Sequence, residues 1–325
     1  MRESRLSKNT HNHPLVLPEP SARRLVLLVP VCNPGPRWHD FLQALQAQNL
    51  QPQLGVVIDS ASDDGAPAAA KAAGLVVHRI DRATFNHGTT RQQAVDQFAA
   101  DADVVVFLTQ DAVLADPMAL KHLVAALDDP QVGAAYGRQM PHPDATPVAA
   151  HARLFNYPTT SHHRRWVDVP EFGIKTCFLS NTFAAYRVKA MREAGGFPAQ
   201  VILGEDMHLA ARLLKAGHAI RYQAQAVVYH SHNYSMLAEF RRYFDTGVFH
   251  AKHPWLLQDF GGAGREGLQF VRSEMLYMLK HAPWLLPEVA CRTALKALGY
   301  RLGRGHESLS KRMCSRFSMH KGYWV

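Results

Sequence analysis

Five short clusters hold side chains whose types and spacing could do chemistry. Asp59 closes an apolar run, where it could accept a hydrogen bond from a nucleobase N–H or a ribose hydroxyl. Thr109-Gln110-Asp111 closes another such run, and the carboxylate could hold a hard divalent cation while nucleotide phosphates supply further oxygens. Glu205 and Asp206 are adjacent; one could act as a general base, with the other raising its pKa toward a useful range. His230 and His232 stand two apart, so in extended chain they face one side, a spacing that suits a metal or a phosphate. Arg241-Arg242 could grip a diphosphate. Each cluster also has a plain structural reading. The aspartates can cap the helices that follow them, and the acidic pair can serve a helix dipole. The histidines, two of 19, can be hydrogen-bonded structural groups, and the arginines a solvated helix face.

These residues need elements to position them, and the hydrophobic pattern supplies a regular alternation. Apolar runs over 25–31, 54–58, 75–80 and 103–108 read as strands. Between and after them, 36–48, 64–73, 89–100 and 116–127 read as amphipathic helices. Continuous apolar strands alternating with helices predict a parallel sheet covered on both faces, with ligands at the carboxyl ends of its strands. The pattern breaks up from 139 to 175, a stretch rich in Pro, His and Arg. It resumes with a strand at 178–186 and a helix to 194, then a helix at 205–216, a strand at 226–229 and a helix at 235–250. The remainder reads as two or three helices, broken at Pro283 and near 303–305.

Composition narrows the class. The 325 residues are 47% hydrophobic and 19% charged, enough for a packed core, which excludes a disordered chain. The apolar runs are strand-sized, and none approaches the roughly 20 residues of a membrane-spanning helix. The polar N-terminus has no apolar stretch of signal-peptide length, so a cytoplasmic protein is expected, its residues 1–24 forming a flexible arm. Four scattered cysteines leave no Cys-x-x-Cys pair and read as reduced thiols. No Gly-x-Gly-x-x-Gly follows the first strand and no Walker pattern occurs, which disfavours dinucleotide and P-loop sites. The net charge is +9, of which +7 falls in residues 265–325. That basic segment implies an anionic partner, a membrane surface or nucleic acid.

Taken in order, the segments resemble family-2 glycosyltransferases of the GT-A fold, and among them the bacterial rhamnosyltransferase branch. The resemblance covers about 25–249. It is carried by Val29-Pro30-Val31 with Asn33-Pro34, Ile58-Asp59-Ser60 with Asp64-Gly65, Phe85-Asn86-His87-Gly88 with Arg91, and Leu108-Thr109-Gln110-Asp111-Ala112. Further along come Phe178 with Ser180-Asn181, Gly195-Gly196-Phe197, Glu205-Asp206, His230-Ser231-His232-Asn233-Tyr234-Ser235 and Arg241-Arg242-Tyr243-Phe244. The ending, Phe317-Ser318-Met319-His320 to Trp324, looks like that branch too.

The resemblance implies a GT-A domain over 25–250, its mainly parallel sheet flanked by helices, and a basic C-terminal helical region over 251–325. It implies donor-nucleotide binding by Pro30, Val31, Asp59, Asp64, Arg91, Gln110 and Arg242, and Mg2+ or Mn2+ at Asp111 and His230. Asp206 takes the catalytic-base position, with Glu205 beside it. Thr109 stands where the family's metal-binding Asp-x-Asp motif has its first carboxylate, so Asp111 is the one acid left there. Glu239 to Tyr243 is similar to the Gln-x-x-Arg-Trp motif of processive relatives, Arg242 matching its Arg.

The implied reaction is a single inverting displacement, with Asp206 deprotonating the acceptor hydroxyl. The donor expected from the branch is dTDP-L-rhamnose, and the acceptor a cell-surface or lipid-linked glycan. No nucleic-acid partner is expected, and the basic tail would dock on anionic lipid at the inner face of the plasma membrane. The site is expected to lie wholly within 25–249. Two alternatives stay open: a metal-dependent hydrolase of sugar nucleotides, and a basic nucleic-acid-binding protein.

Overall fold

A computed structural model describes residues 23–262 and 264–324. Of the arm expected over 1–24, all but the last two residues lie outside the described residues. Arg24 is already tied down, its backbone N–H donating to Asp103 Oδ2 at 2.8 Å.

The chain begins with the expected alternation: β1 (Leu25–Val31), α1 (Arg37–Gln46), β2 (Leu54–Asp59), α2 (Ala66–Ala72), β3 (Val76–Arg79), α3 (His87–Phe98) and β4 (Val104–Leu108). Next come β5 (Val113–Leu114), α4 (Ala119–Ala125), β6 (Val132–Met140), α5 (Pro147–Asn156), β7 (His162–Arg164) and α6 (Val169–Phe172). The second half continues with β8 (Phe183–Arg187), α7 (Val188–Glu193), α8 (Glu205–Lys215), β9 (Ala219–Tyr229) and α9 (Met236–Lys252). It closes with α10 (Pro254–Phe260), α11 (Gly264–His281), α12 (Leu286–Arg304) and α13 (Lys311–Phe317).

One sheet runs in the order β3-β2-β1-β4-β8-β6-β9-β5, with β7 paired to β9. The central strands β1 and β4 are apolar at every position because both faces are covered. Leu25, Leu27 and Val29 meet α1, α2 and α4, whereas Val26 and Leu28 join the core under α3 and α8. Parallel pairing holds from β3 to β4, as expected. Beyond β4 the sheet is mixed: β8 runs antiparallel to both β4 and β6, while β6 and β9 are parallel. A strand buried on both faces reads the same in either direction, so periodicity carried no sign of the reversal.

The irregular reading of 139–175 is corrected in part, since β6 reaches Met140 and α5 and β7 lie inside that stretch. The strand read as 226–229 is the end of the longer β9. β6 is poor in strand formers for a packing reason. A Cβ at Gly137 would collide with the Phe183 ring and the Ala226 carbonyl.

The basic tail is built into the fold. Gly299 and Gly303 on α12 lie against the backbone of α9 at Phe240 and Phe244, where any Cβ would clash. Arg292 pairs with Glu239 at 2.9 Å and Glu288 at 2.7 Å, and Lys296 reaches Glu239 at 3.4 Å, so part of the positive charge is neutralised within the molecule. No helix among the described residues is long and apolar enough to cross a membrane.

Candidate active site

The site forms where strand order reverses, between β1 and β4, at the carboxyl ends of both strands. Gln110 stitches the two ends together: its Oε1 accepts from Cys32 N at 2.7 Å and its Nε2 donates to Cys32 O at 3.2 Å. Beside them, Val31 is registered with Asp59 and Pro30 with Ile58. Asp59 is fully buried, and its carboxylate accepts from Ser62 N at 3.1 Å. Asp64 is exposed and accepts from Ala66 N at 3.2 Å, closing the turn before α2.

On one side of the crevice Asp111 meets two imidazoles. His230 Nε2 lies 3.4 Å and His232 Nε2 3.7 Å from Asp111 Oδ2. The three ligating atoms fall within 4.8 Å of one another. Burial works to raise the Asp111 carboxyl, but the hydrogen bond and charge of His230, with His232 behind, hold it well below the usual carboxylate range.

The buried surroundings fix the tautomer of His230. Its Nδ1 is 2.8 Å from Gln139 Oε1, which also accepts from Arg153 Nη1 at 2.7 Å, while Gln139 Nε2 donates to Ser180 Oγ at 3.1 Å. With that amide oriented by three partners, Nδ1 carries a proton, and Nε2 faces Asp111, donating to the carboxylate when it too is protonated and offering its lone pair when it is not. A carboxylate and an imidazole lone pair facing each other make a donor set that fits a divalent cation.

On the other side, α8 opens with Glu205 and Asp206 in its first turn, where the helix dipole favours negative charge. Gly204 precedes them with φ 77°, and a Cβ there would press on the Phe249 ring. Asp206 is half-buried, accepting from Met207 N at 2.8 Å and Asn181 N at 3.1 Å. Burial and the adjacent Glu205 charge push its carboxyl up to about 7. Glu205 is 5 % exposed and held by Arg91 Nη1 at 3.2 Å and Asn181 Nδ2 at 3.0 Å. Burial opposes its ionisation, yet the Arg91 charge, helped by the Asn181 hydrogen bond, brings its carboxyl below the ordinary value.

Two residues expected at the donor nucleotide use their side chains on partners within the protein. Arg91, 5 % exposed, faces the buried Glu205, where the expectation had it on a nucleotide. Gln110 uses its amide on the Cys32 backbone. Glu205 likewise lies inside, acting on Asp206 through its charge. Arg242 is exposed on α9, and its charge reaches His87, His230, His232 and His320, so it overlooks both sides of the crevice. Among the described residues it has no ion-pair partner.

The structure adds residues that the sequence reading did not name as site members. His232 was visible as the second histidine of a same-face pair. Asn181 and Ser180 link the two centres: Asn181 binds both acids, and Ser180 meets Gln139 behind His230. Gln139 and Arg153 lay in the stretch without readable period. His320 comes from the C-terminal region, outside 25–249, to stand beside His87 at the start of α3. Its ring stands edge-on to His87, centroids 4.9 Å apart.

Residues 22–244 match the family described as "Glycosyltransferase like family 2". The chain is 48% identical over 302 residues to the O-antigen chain rhamnosyltransferase RfbN of Salmonella typhimurium (strain LT2), covering 93% of this chain and 96% of that one. It is 47% identical over 299 residues to the O-antigen chain rhamnosyltransferase WbaN of Salmonella anatum, covering 92% and 95%. Among solved structures, the mannosyltransferase PcManGT from Pyrobaculum calidifontis, in complex with GDP-Man and Mn2+, is similar at a TM-score of 0.51 and 22% identity. That likeness covers 96% of this chain and 88% of the other, and it shows the fold, of the GT-A type. By the extent of the family match and of both relatives, the chain belongs to glycosyltransferase family 2.

Proposed function

We propose that this glycosyltransferase moves an L-rhamnosyl group from dTDP-L-rhamnose to a hydroxyl of a lipid-linked O-antigen-type glycan, with inversion at the anomeric carbon. The names of the two Salmonella relatives support the sugar and the acceptor class. The chemistry rests on the opposed aspartates: Asp206, with its raised pKa, on one side of the crevice, and Asp111 with two imidazoles on the other.

Asp206 accepts the proton of the acceptor hydroxyl as that oxygen attacks the sugar. A base poised near the working pH is worth roughly 10²–10⁴ in rate. Asn181 N and Met207 N hold the carboxylate in place. Arg242 offers its guanidinium to the departing diphosphate. Pro30, Val31, Asp59 and Asp64 border the place for the base and ribose at the β1 and β2 ends. Asp111, His230 and His232 would hold a divalent cation, which when bound supplies Lewis-acid stabilisation of charge on the leaving phosphate. Two imidazoles favour a transition metal such as Mn2+ over Mg2+.

The tail offers a face for peripheral contact with anionic lipid on the cytoplasmic side. Leu268, Leu276, Leu279 and Trp284 are exposed along α11 and just beyond it, 75%, 57%, 57% and 74% respectively. Arg272 and Lys280 are exposed beside them, each worth about 1 kcal/mol near such a surface. Flotation with anionic vesicles should weaken at high salt; equal flotation with neutral vesicles would sink this placement.

The transfer itself is tested by incubating the enzyme with dTDP-L-rhamnose and a lipid-linked acceptor, with and without Mn2+, and analysing products. A rhamnoside of inverted configuration is expected. Free rhamnose alone would make the enzyme a hydrolase.

A further inference from the structure

The last turn of the chain is strapped across α9. Asp245, fully buried on α9, accepts from Met319 N at 2.8 Å through Oδ2. Ser318 is fully buried, and its hydroxyl accepts from His320 N at 2.9 Å. On either side, Phe317 packs on Phe240 and Phe244 at 5.6 and 5.8 Å between centroids, and Lys252 Nζ donates to Tyr323 OH at 2.8 Å. These anchors leave His320 little freedom. Its ring abuts His87, the first residue of α3, which neighbours Arg91 and so the Glu205 ion pair.

The side chain of His320 is only partly covered, and among the described residues neither ring nitrogen has a hydrogen-bond partner. Burial lowers its pKa, and the Arg242 charge lowers it further, so the ring is a neutral imidazole that can both donate and accept. Its contact with His87, which leads through Arg91 to Glu205, sets it on the side of the crevice where α8 opens with Glu205 and Asp206. A rigidly held, unpartnered donor–acceptor at that place is suited to a sugar hydroxyl.

We propose that His320 binds the acceptor: its imidazole hydrogen-bonds a hydroxyl of the incoming glycan beside the one that Asp206 deprotonates, and the C-terminal strap is the acceptor wall of the site. This rests on the reading that Asp206 is the base and that the acceptor enters on its side. The strap then links acceptor recognition to the folding of the tail, so the C-terminal helices serve the chemistry as well as the surface.

The test uses the full chain carrying His320→Ala or His320→Gln, with acceptor KM, kcat, melting temperature and the Kd for dTDP measured for each. His320→Ala should raise acceptor KM by about tenfold, the worth of one good hydrogen bond. The dTDP Kd and melting temperature should stay near wild type. His320→Gln should recover part of the loss, because an amide also donates and accepts. An acceptor KM within twofold of wild type in His320→Ala overturns the proposal, as does a selective loss of dTDP affinity or an equal loss in both variants. Asp206→Asn, run alongside, separates the two readings. Normal turnover there with a raised KM in His320→Ala would remove the base and keep the acceptor contact.

Discussion

Asp111 and Asp206 border one crevice, and the protein drives them in opposite directions. Asp111 sits among imidazoles, and His230 and His232 outweigh its burial to keep the carboxylate ionised. Asp206 sits beside another acid, and burial and Glu205 together raise it to about 7. An acid held ionised suits cation binding; an acid titrating near neutrality suits proton transfer. The fold separates the two by giving each its own partner: Gln139 behind His230, Arg91 behind Glu205. Asn181 and Ser180 tie the halves at fixed spacing.

The largest expected effect breaks the base side. Asp206→Asn should lower kcat by about 10²–10⁴ while donor binding, followed by calorimetry, survives. Near-normal turnover would remove Asp206 from the proton transfer. Next comes its support. Arg91→Met leaves Glu205 buried without its cation, which should cost about 3–5 kcal/mol of stability, read from denaturant unfolding. A loss below 1 kcal/mol would mean that the Glu205–Arg91 pair is not structural.

On the other side, Gln139→Leu releases the His230 tautomer. Affinity for Mn2+ in the presence of dTDP should fall by about 10–100-fold, the usual worth of such a supporting bond, while the Kd for dTDP alone is unchanged. Equal Mn2+ affinity in the variant would detach Gln139 from the metal-binding role.

A smaller effect is spread through the fold. Burial pushes His87, His151, His162, His208 and His250 down to about 4. Their folded values lie below the unfolded value of 6.5, so their contribution to stability is present above pH 6.5 and lost as pH falls toward 4. Asp206 and Asp245, raised to about 7 and about 6, act in the opposite sense but are fewer. The melting temperature should therefore fall between pH 7 and pH 4.5; a rise would reverse the assignment of these histidines as buried and neutral.

Much of this was legible in the sequence where local pattern and chemistry coincide. β1 and β4 announce themselves because strands covered on both faces are apolar throughout, and α8 because its acids sit at a helix start after glycine. The direction of β8 was not legible, since burial says nothing of polarity along a strand. β6 was hidden by glycines that its neighbours require. Arg91 and Gln110 looked like ligand contacts because their motifs are right, yet their side chains are used within the protein. His320 lay beyond reach, because only the packing of α12 on α9 and the Asp245 anchor bring residue 320 to residue 87.

The claim that the Glu205 charge adds to burial in raising the base is tested most directly by the pH dependence of kcat in wild type and in Glu205→Gln, a change that keeps a hydrogen-bonding side chain for Asn181 and Arg91. A base must be deprotonated to act, so wild-type kcat should rise with pH through about 7. Without the Glu205 charge the acidic limb should move to lower pH, while burial still holds it above an ordinary aspartate. An acidic limb that stays in place in the variant would contradict the account.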